Sequence, residues 1–229
     1  MTPEAVRLSS QLRDLLARNE SDSRAKMEGM NRLGFLGASD FGPLLGLSRW
    51  TTPHQLWLQK TGQALPFEGN LFTDVGQALE PLVLRLAVQR LGMTELIRAS
   101  ELSPPAEPWL KVHLDATARQ GGELVVLEAK TCSFSKRDGG WGPEGGEMVP
   151  AEYFAQVTVQ MHAARLEGLP VSRAVIACLF LNRLGDGREK QPQTFSVPYD
   201  EAMALGLMER GRAFWKLIEQ RTWPTSEAA

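Results

Sequence analysis

Residues 109–118 read WLKVHLDATA and residues 123–131 read ELVVLEAKT, with Gln120-Gly121-Gly122 in the connection between them. Each segment has the length and apolar patterning of a strand, and the glycine pair suits a tight turn, so the spacing predicts two antiparallel neighbours. Side chains alternate faces along a strand, so Glu128 and Lys130 point the same way, about 6 to 7 Å apart. A carboxylate and an ammonium therefore leave one sheet face at the end of the apolar run LVVL. Asp115, thirteen positions before Glu128, lies beside them on the neighbouring strand.

Outward toward the N-terminus, Thr2-Pro3-Glu4 is a helix start, and Ala5, Leu8, Leu12, Leu15 and Leu16 carry the helix to about Arg18. The polar connector NESDSRAKMEG follows. Ser39 is expected to cap a short helix ending near Gly46, and Thr52-Pro53 to open another that stops at Gly62. Thr73-Asp74 is expected to cap a longer helix reaching about Leu91, with Gly92 after it and a kink at Pro81.

Toward the C-terminus comes a glycine-rich loop, SFSKRDGGWGPEGGE, and then a helix in which Tyr153, Phe154, Val157, Met161 and Ala164 keep helical spacing. AVIACLFL reads as a buried strand, and Thr194 to Val197 as a short one. In the final helix Leu205, Met208, Phe214, Leu217 and Ile218 mark the buried side. Helices, sheet, helix, strands, helix is the order of an α/β fold with a central mixed sheet. No internal repeat is present.

At 229 residues the chain can bury one sizeable core, and no long Pro-, Ser- or Gly-rich linker divides it. The expectation is a single domain over 1–229, with 1–31 as an N-terminal helical extension. Hydrophobic residues make up 43% and charged residues 23%, which leaves little room for extensive disorder. No run of about 18 apolar residues and no signal-peptide pattern occurs, so a cytoplasmic protein is expected. Cys132 and Cys178 are far apart and form no CxxC, which argues against structural zinc, an iron–sulfur cluster or a disulfide framework. Both are expected to be buried thiols. The net charge is −2, so a nucleic-acid partner would have to meet a local basic patch.

The residue types at Asp115, Glu128 and Lys130 suit phosphodiester hydrolysis. Hard carboxylate oxygens hold Mg²⁺, and a nearby lysine orients or deprotonates the attacking water. The same three charges also fit a solvated strand end and an unrelated turn aspartate, since short motifs arise by chance. Glu80, in the long helix, has Gly76, Gln77, Val83 and Leu84 three and four positions away. None is a cation, so an ion pair along the helix is unavailable, and Gly76 leaves room near the carboxylate. A solvated helix glutamate is the other reading.

In order along the chain, RLGFLGASDFGPLLGLSRW, TPHQLWLQKTG, GQALE, LDATA, LEAK, WGPEGGEMVPAEYFAQVTVQM and AFWKLIEQRTWP resemble the lambda-exonuclease or YqaJ type of viral recombinase nuclease, within the PD-(D/E)XK superfamily. The resemblance spans about Arg32 to Pro224 and implies a restriction-endonuclease-like core, a central mixed sheet flanked by helices. It implies that Glu80, Asp115, Glu128 and the Ala129 carbonyl hold metal, two Mg²⁺ ions with Mn²⁺ as a substitute. Lys130 would serve the nucleophilic water, and Gln156 would fix the lysine or the scissile phosphate. Arg32 and Ser39 would receive a 5′-phosphate, a role suited to an arginine fork and a hydroxyl at a helix start. Helix capping alone is the plainer reading of Ser39, and solvation that of Arg32.

Arg49 and Trp50 can contact the duplex, or Trp50 can pack. Lys136, Arg137 and Trp141, on the loop from Ser133 to Glu147, can close over DNA or belong to a surface loop. His54, His113 and His162 lack metal-ligand spacing and receive no catalytic role. The resemblance further implies 5′-to-3′ digestion of linear double-stranded DNA to mononucleotides, a homotrimeric ring, a single-strand annealing recombinase as partner, and a phage or prophage gene in a bacterial host. Leu114-Asp115-Ala116 replaces the family's usual Pro-Asp-Gly, and Val75 stands where an arginine commonly precedes Gly76. A structure-specific endonuclease of the same superfamily and a non-catalytic DNA-end-binding module are the alternatives.

Overall fold

The computed structural model describes residues 32–64, 69–132, 140–181 and 191–224. The helix expected up to Arg18, its connector, and Lys136 and Arg137 lie outside these residues. The helices are α1 (Phe41–Leu44), α2 (Pro53–Lys60), α3 (Leu71–Leu91), α4 (Ala151–Leu166) and α5 (Glu201–Glu219). The strands are β1 (Thr94–Leu102), β2 (Val112–Gln120), β3 (Glu123–Cys132), β4 (Val171–Phe180) and β5 (Gln193–Pro198), side by side in chain order. Only β3 and β4 pair in parallel, with α4 as their crossover; the other neighbours are antiparallel. This is the expected mixed sheet flanked by helices.

The hairpin of β2 and β3 turns at Gly121 and Gly122, whose φ of 58° and 89° are open to glycine at little cost. Strand β1 has no clear signature in the sequence. It is an edge strand with Glu95, Arg98 and Glu101 along it, and its register shifts between Thr94 and Ile97, so no clean alternation survives.

Helix α2 starts as expected, with Thr52 Oγ1 accepting from the Gln55 N–H at 3.2 Å and Gln55 Oε1 accepting from the Thr52 N–H at 2.8 Å. Helix α3 begins before the predicted Thr73-Asp74. Asn70 Oδ1 accepts from the N–H groups of Phe72 and Thr73, and apolar Leu71 and Phe72 obscure that start in the sequence. Gly92, with φ 61°, ends α3, and Pro81 lies within it without terminating it. Ser39 does not cap a helix. It sits exposed inside a 3-10 turn, Ala38–Asp40, whose N-cap is Gly37, and the Gly37 N–H donates to Asp40 Oδ2.

Two cores lie on opposite faces of the sheet. Val83, Leu84 and Ala87 of α3 pack with Val125 and Leu127, while α4 and α5 pack on the side of Val126 and Ile176. Helix α4 is buried almost all round, at Ala155 and from Val157 to Ala164, because α1 and α5 cover what the sheet does not. In α5 the buried line runs through Ala204, Leu207, Met208, Gly211, Phe214 and Ile218. Leu205 is 51% exposed, contrary to expectation, and Ala204 takes the inward position.

Candidate active site

Pairing between β2 and β3 stops at Ala116–Leu127. In a continuing antiparallel ladder the Ala129 N–H would go to a carbonyl on β2. Here it donates to Asp115 Oδ2 at 2.9 Å. The strand also switches faces at this residue: Val112 and Leu114 belong to the α4 side, Ala116 and Ala118 to the α3 side. Regular alternation would keep all four together, so Asp115 marks a break in the strand. Leu114 and Ala116 flank that break, and both are fully buried.

Glu128 follows Val126 onto the α4 side and is 2% exposed. Three donors surround its carboxylate. Lys130 Nζ and Gln156 Nε2 each donate to Oε1 at 2.6 Å, and Gln160 Nε2 donates to Oε2 at 2.7 Å. Lys130 also donates to Gln156 Oε1 at 3.1 Å and lies 5.0 Å from the centre of the Tyr153 ring. Asp115 and Glu128, with Lys130 and Gln156 hydrogen-bonded to Glu128, thus lie at the same end of β2 and β3. Gln160 received no role in the sequence reading; its spacing of four from Gln156, one helical turn, was the available signal.

Burial, then the charges of Glu128 and Glu80, raise the Asp115 carboxyl well above its ordinary value, against the pull of Lys130 and the Ala129 N–H. Burial opposes the Lys130 ammonium, but Glu128 and Asp115 outweigh it and hold the lysine above its usual range. Beyond Lys130, Cys178 is raised by its hydrogen bond with Cys132 and by burial. Both thiols are buried, as expected.

Glu80 is on α3, which packs on the other side of the sheet from α4, and its charge is felt at Asp115. Arg98 on β1 places Nη2 3.8 Å from Glu80 Oε1. A Cβ at Gly76 would lie 3.2 Å from Thr131 Oγ1, so the glycine lets α3 approach β3 closely. Among the described residues, no three Asp, Glu, His or Cys side chains are gathered closely enough to hold a metal ion as they stand.

The other predicted positions lie elsewhere. Arg49 is exposed and Trp50 is 79% exposed, so the tryptophan does not pack into the core. Trp141 is buried against Tyr153, Phe180 and Phe195, which corrects the expectation that it closes over a ligand with its loop. The segment carrying Ser39 is anchored beneath by Lys60, whose Nζ lies 2.7 Å from Asp40 Oδ2 and donates to the Phe35 carbonyl at 2.8 Å. Among the described residues, no helix is long and apolar enough to cross a membrane.

Residues 29–167 match the YqaJ-like viral recombinase domain. The uncharacterized protein YqaJ of Bacillus subtilis (strain 168) is 31% identical over 152 residues, 66% of this chain and 45% of that protein, so the chain spans less than half the length of this relative. LHK-Exo, an alkaline exonuclease from Laribacter hongkongensis, is similar with a TM-score of 0.62 at 16% identity, over 83% of this chain and 90% of that one. Its complex with dAMP gives a TM-score of 0.64 at 16% identity over the same shares. A phage-related exonuclease from Haemophilus somnus 129PT has a TM-score of 0.56 at 17% identity, over 84% of this chain and 98% of that one. Likeness at these identities establishes the fold.

Proposed function

The chain belongs to the YqaJ-like viral recombinase domain family, and from that membership we propose that it is a magnesium-dependent 5′-to-3′ exodeoxyribonuclease. It would digest one strand of linear double-stranded DNA to mononucleotides and leave a 3′ single strand for phage-type recombination. The observation that carries the reading is the break at Asp115, which brings Asp115, Glu128 and Lys130 together with Glu80 approaching from the opposite side. A solvated strand end would not bury Glu128 to 2% exposure among three donors.

The donor set fits a hard divalent cation. A carboxylate has about four acceptor positions; Glu128 uses three, and Asp115 spends Oδ2 on Ala129. One position on Glu128, Oδ1 of Asp115, the Glu80 carboxylate and the Ala129 carbonyl are the groups that would hold Mg²⁺, or Mn²⁺ in its place. Crowding of the Asp115, Glu128 and Glu80 carboxylates is a repulsion that a cation relieves. When bound, two such ions would activate the attacking water and stabilise the leaving oxygen.

The chain's own groups do the rest. Lys130 is a cation beside Glu128, suited to donating to the attacking water or to a phosphate oxygen. Gln156 ties Lys130 to Glu128, which keeps that ammonium over the site. Arg32 and exposed Ser39 would take the 5′-phosphate, and Arg49 and Trp50, with Lys136 and Arg137, the duplex. The site residues, the single domain over 1–229, the homotrimeric ring, the annealing partner and the bacterial cytoplasm all belong to this proposal.

The test is Mg²⁺-dependent digestion of linear duplex labelled differently at its 5′ and 3′ ends, with 5′-phosphate or 5′-hydroxyl termini, beside a closed circle. Early release of 5′ label as mononucleotide from phosphorylated ends, with the circle intact, is expected. Nicking of the circle would favour a structure-specific endonuclease, and binding without cleavage a non-catalytic end-binding module.

A further inference from the structure

We infer that Gln160 is a positioning residue that sets the distance between Asp115 and Glu128 across the opened strands, and so the divalent-cation affinity of the site. The inference rests on the nuclease reading above. Its Nε2 donates to Glu128 Oε2 at 2.7 Å on β3 and to the His113 carbonyl at 3.3 Å on β2. An amide nitrogen has two hydrogens, and each is committed to a different strand. The bridge lies just beyond Ala116–Leu127, where the ladder that would otherwise hold β2 to β3 has ended. Asp115 is two residues from the His113 carbonyl, so the one amide tethers both carboxylates.

Burial supports a positional role over plain packing. Gln160 is 1% exposed, and its Oε1 has no hydrogen-bond partner among the described residues. A buried amide with an unsatisfied oxygen costs stability, so the contribution of this side chain lies in the two acceptors that its nitrogen holds. Rotating the amide would satisfy nothing, because its oxygen would then face the Glu128 carboxylate. Gln156 makes no such bridge: its nitrogen donates to Glu128 Oε1 and its oxygen accepts from Lys130, both on β3. Oriented ligands with intact outer hydrogen bonds bind metal about 10- to 100-fold more tightly than those without.

The experiment is calorimetric titration of Mn²⁺ into wild-type protein, Gln160→Leu and Gln160→Met, with thermal unfolding and cleavage kinetics alongside. Both variants are expected to stay folded with a lowered Tm, because Glu128 Oε2 and the His113 carbonyl lose their donor, to bind Mn²⁺ about 10- to 100-fold more weakly, and to lose kcat with KM for DNA changed by less than about twofold. Folded variants that bind Mn²⁺ within twofold of wild type would overturn the inference and leave the nuclease reading standing. Wild-type protein that takes up no Mn²⁺ would overturn both. Should Gln160→Leu not fold, Gln160→Met, unbranched like glutamine, is read the same way; Gln160→Asn, which keeps the amide but is one methylene too short to reach both strands, covers failure of the two.

Discussion

Replacing Gly211 with alanine should destabilise the fold through one contact. A Cβ at Gly211 would lie 2.6 Å from Trp109 Cη2 and 2.9 Å from both Trp109 Cζ3 and Phe41 Cζ. Carbon atoms in contact sit about 3.5 to 4.0 Å apart, so the methyl intrudes by roughly 0.6 to 1.4 Å. Neither ring has room to withdraw, since Phe41 is 0% and Trp109 7% exposed, and Trp109 Nε1 is held by Glu107 at 2.7 Å. All three approaches are under 3.0 Å, which puts the overpacking cost in the upper part of its usual range, about 2 to 3 kcal/mol, against which alanine returns about 1 kcal/mol of helix propensity. A net loss of about 1 to 2 kcal/mol corresponds to a fall in Tm of roughly 2 to 8 °C for a chain of this size. Calorimetric or circular-dichroism melts of Gly211→Ala and wild type measure it, and Phe41→Leu in the same background should recover part of the loss. A variant melting at or above the wild-type temperature would refute the reasoning, because it would mean α5 can shift away from Trp109 at no cost.

Lys130→Ala should abolish cleavage while leaving DNA binding near wild type in an electrophoretic shift assay; near-normal turnover would remove the lysine from the mechanism. Lys60→Met should cost about 3 to 5 kcal/mol in urea unfolding, because Asp40, 7% exposed, would stay buried without its ammonium, and Asp40→Asn in the same chain should recover part of that. His162 is held below its usual pKa of 6.5, mainly by burial, so the unfolded chain takes up a proton that the folded chain resists. Its contribution to stability is therefore present above pH 6.5 and lost as pH falls below that value toward the folded pKa. The urea midpoint of wild type should drop more between pH 7.5 and 5.5 than that of His162→Gln, and equal drops would exclude His162 as the source.

Local signals in the chain determined much of this protein. The Gly121-Gly122 turn, the strand runs on either side of it, the Thr52-Gln55 capping box and the stop at Gly92 are decided by residues within a few positions of one another. The resemblance then named Glu80, Asp115, Glu128, Lys130 and Gln156 in their linear order. Periodicity alone put Glu128 and Lys130 on one face, because alternation along a strand is a property of the backbone.

Tertiary packing decided the remainder. Strand β1 was hidden because an edge strand carries charges that mask its pattern. The start of α3 was misplaced because Asn70 and Thr73 can both cap, and only the folded backbone selects between them. Trp141 sits in a glycine-rich stretch that reads as loop, yet it is buried because Tyr153, Phe180 and Phe195, from three separate elements, close around it. Leu205 is apolar and helical but faces outward, since Ala204 is the residue turned toward the core. The break at Asp115 and the Gln160 bridge across it depend on contacts between residues up to 47 positions apart. No local spacing encodes such contacts, because they exist only once the sheet and both helices are packed together.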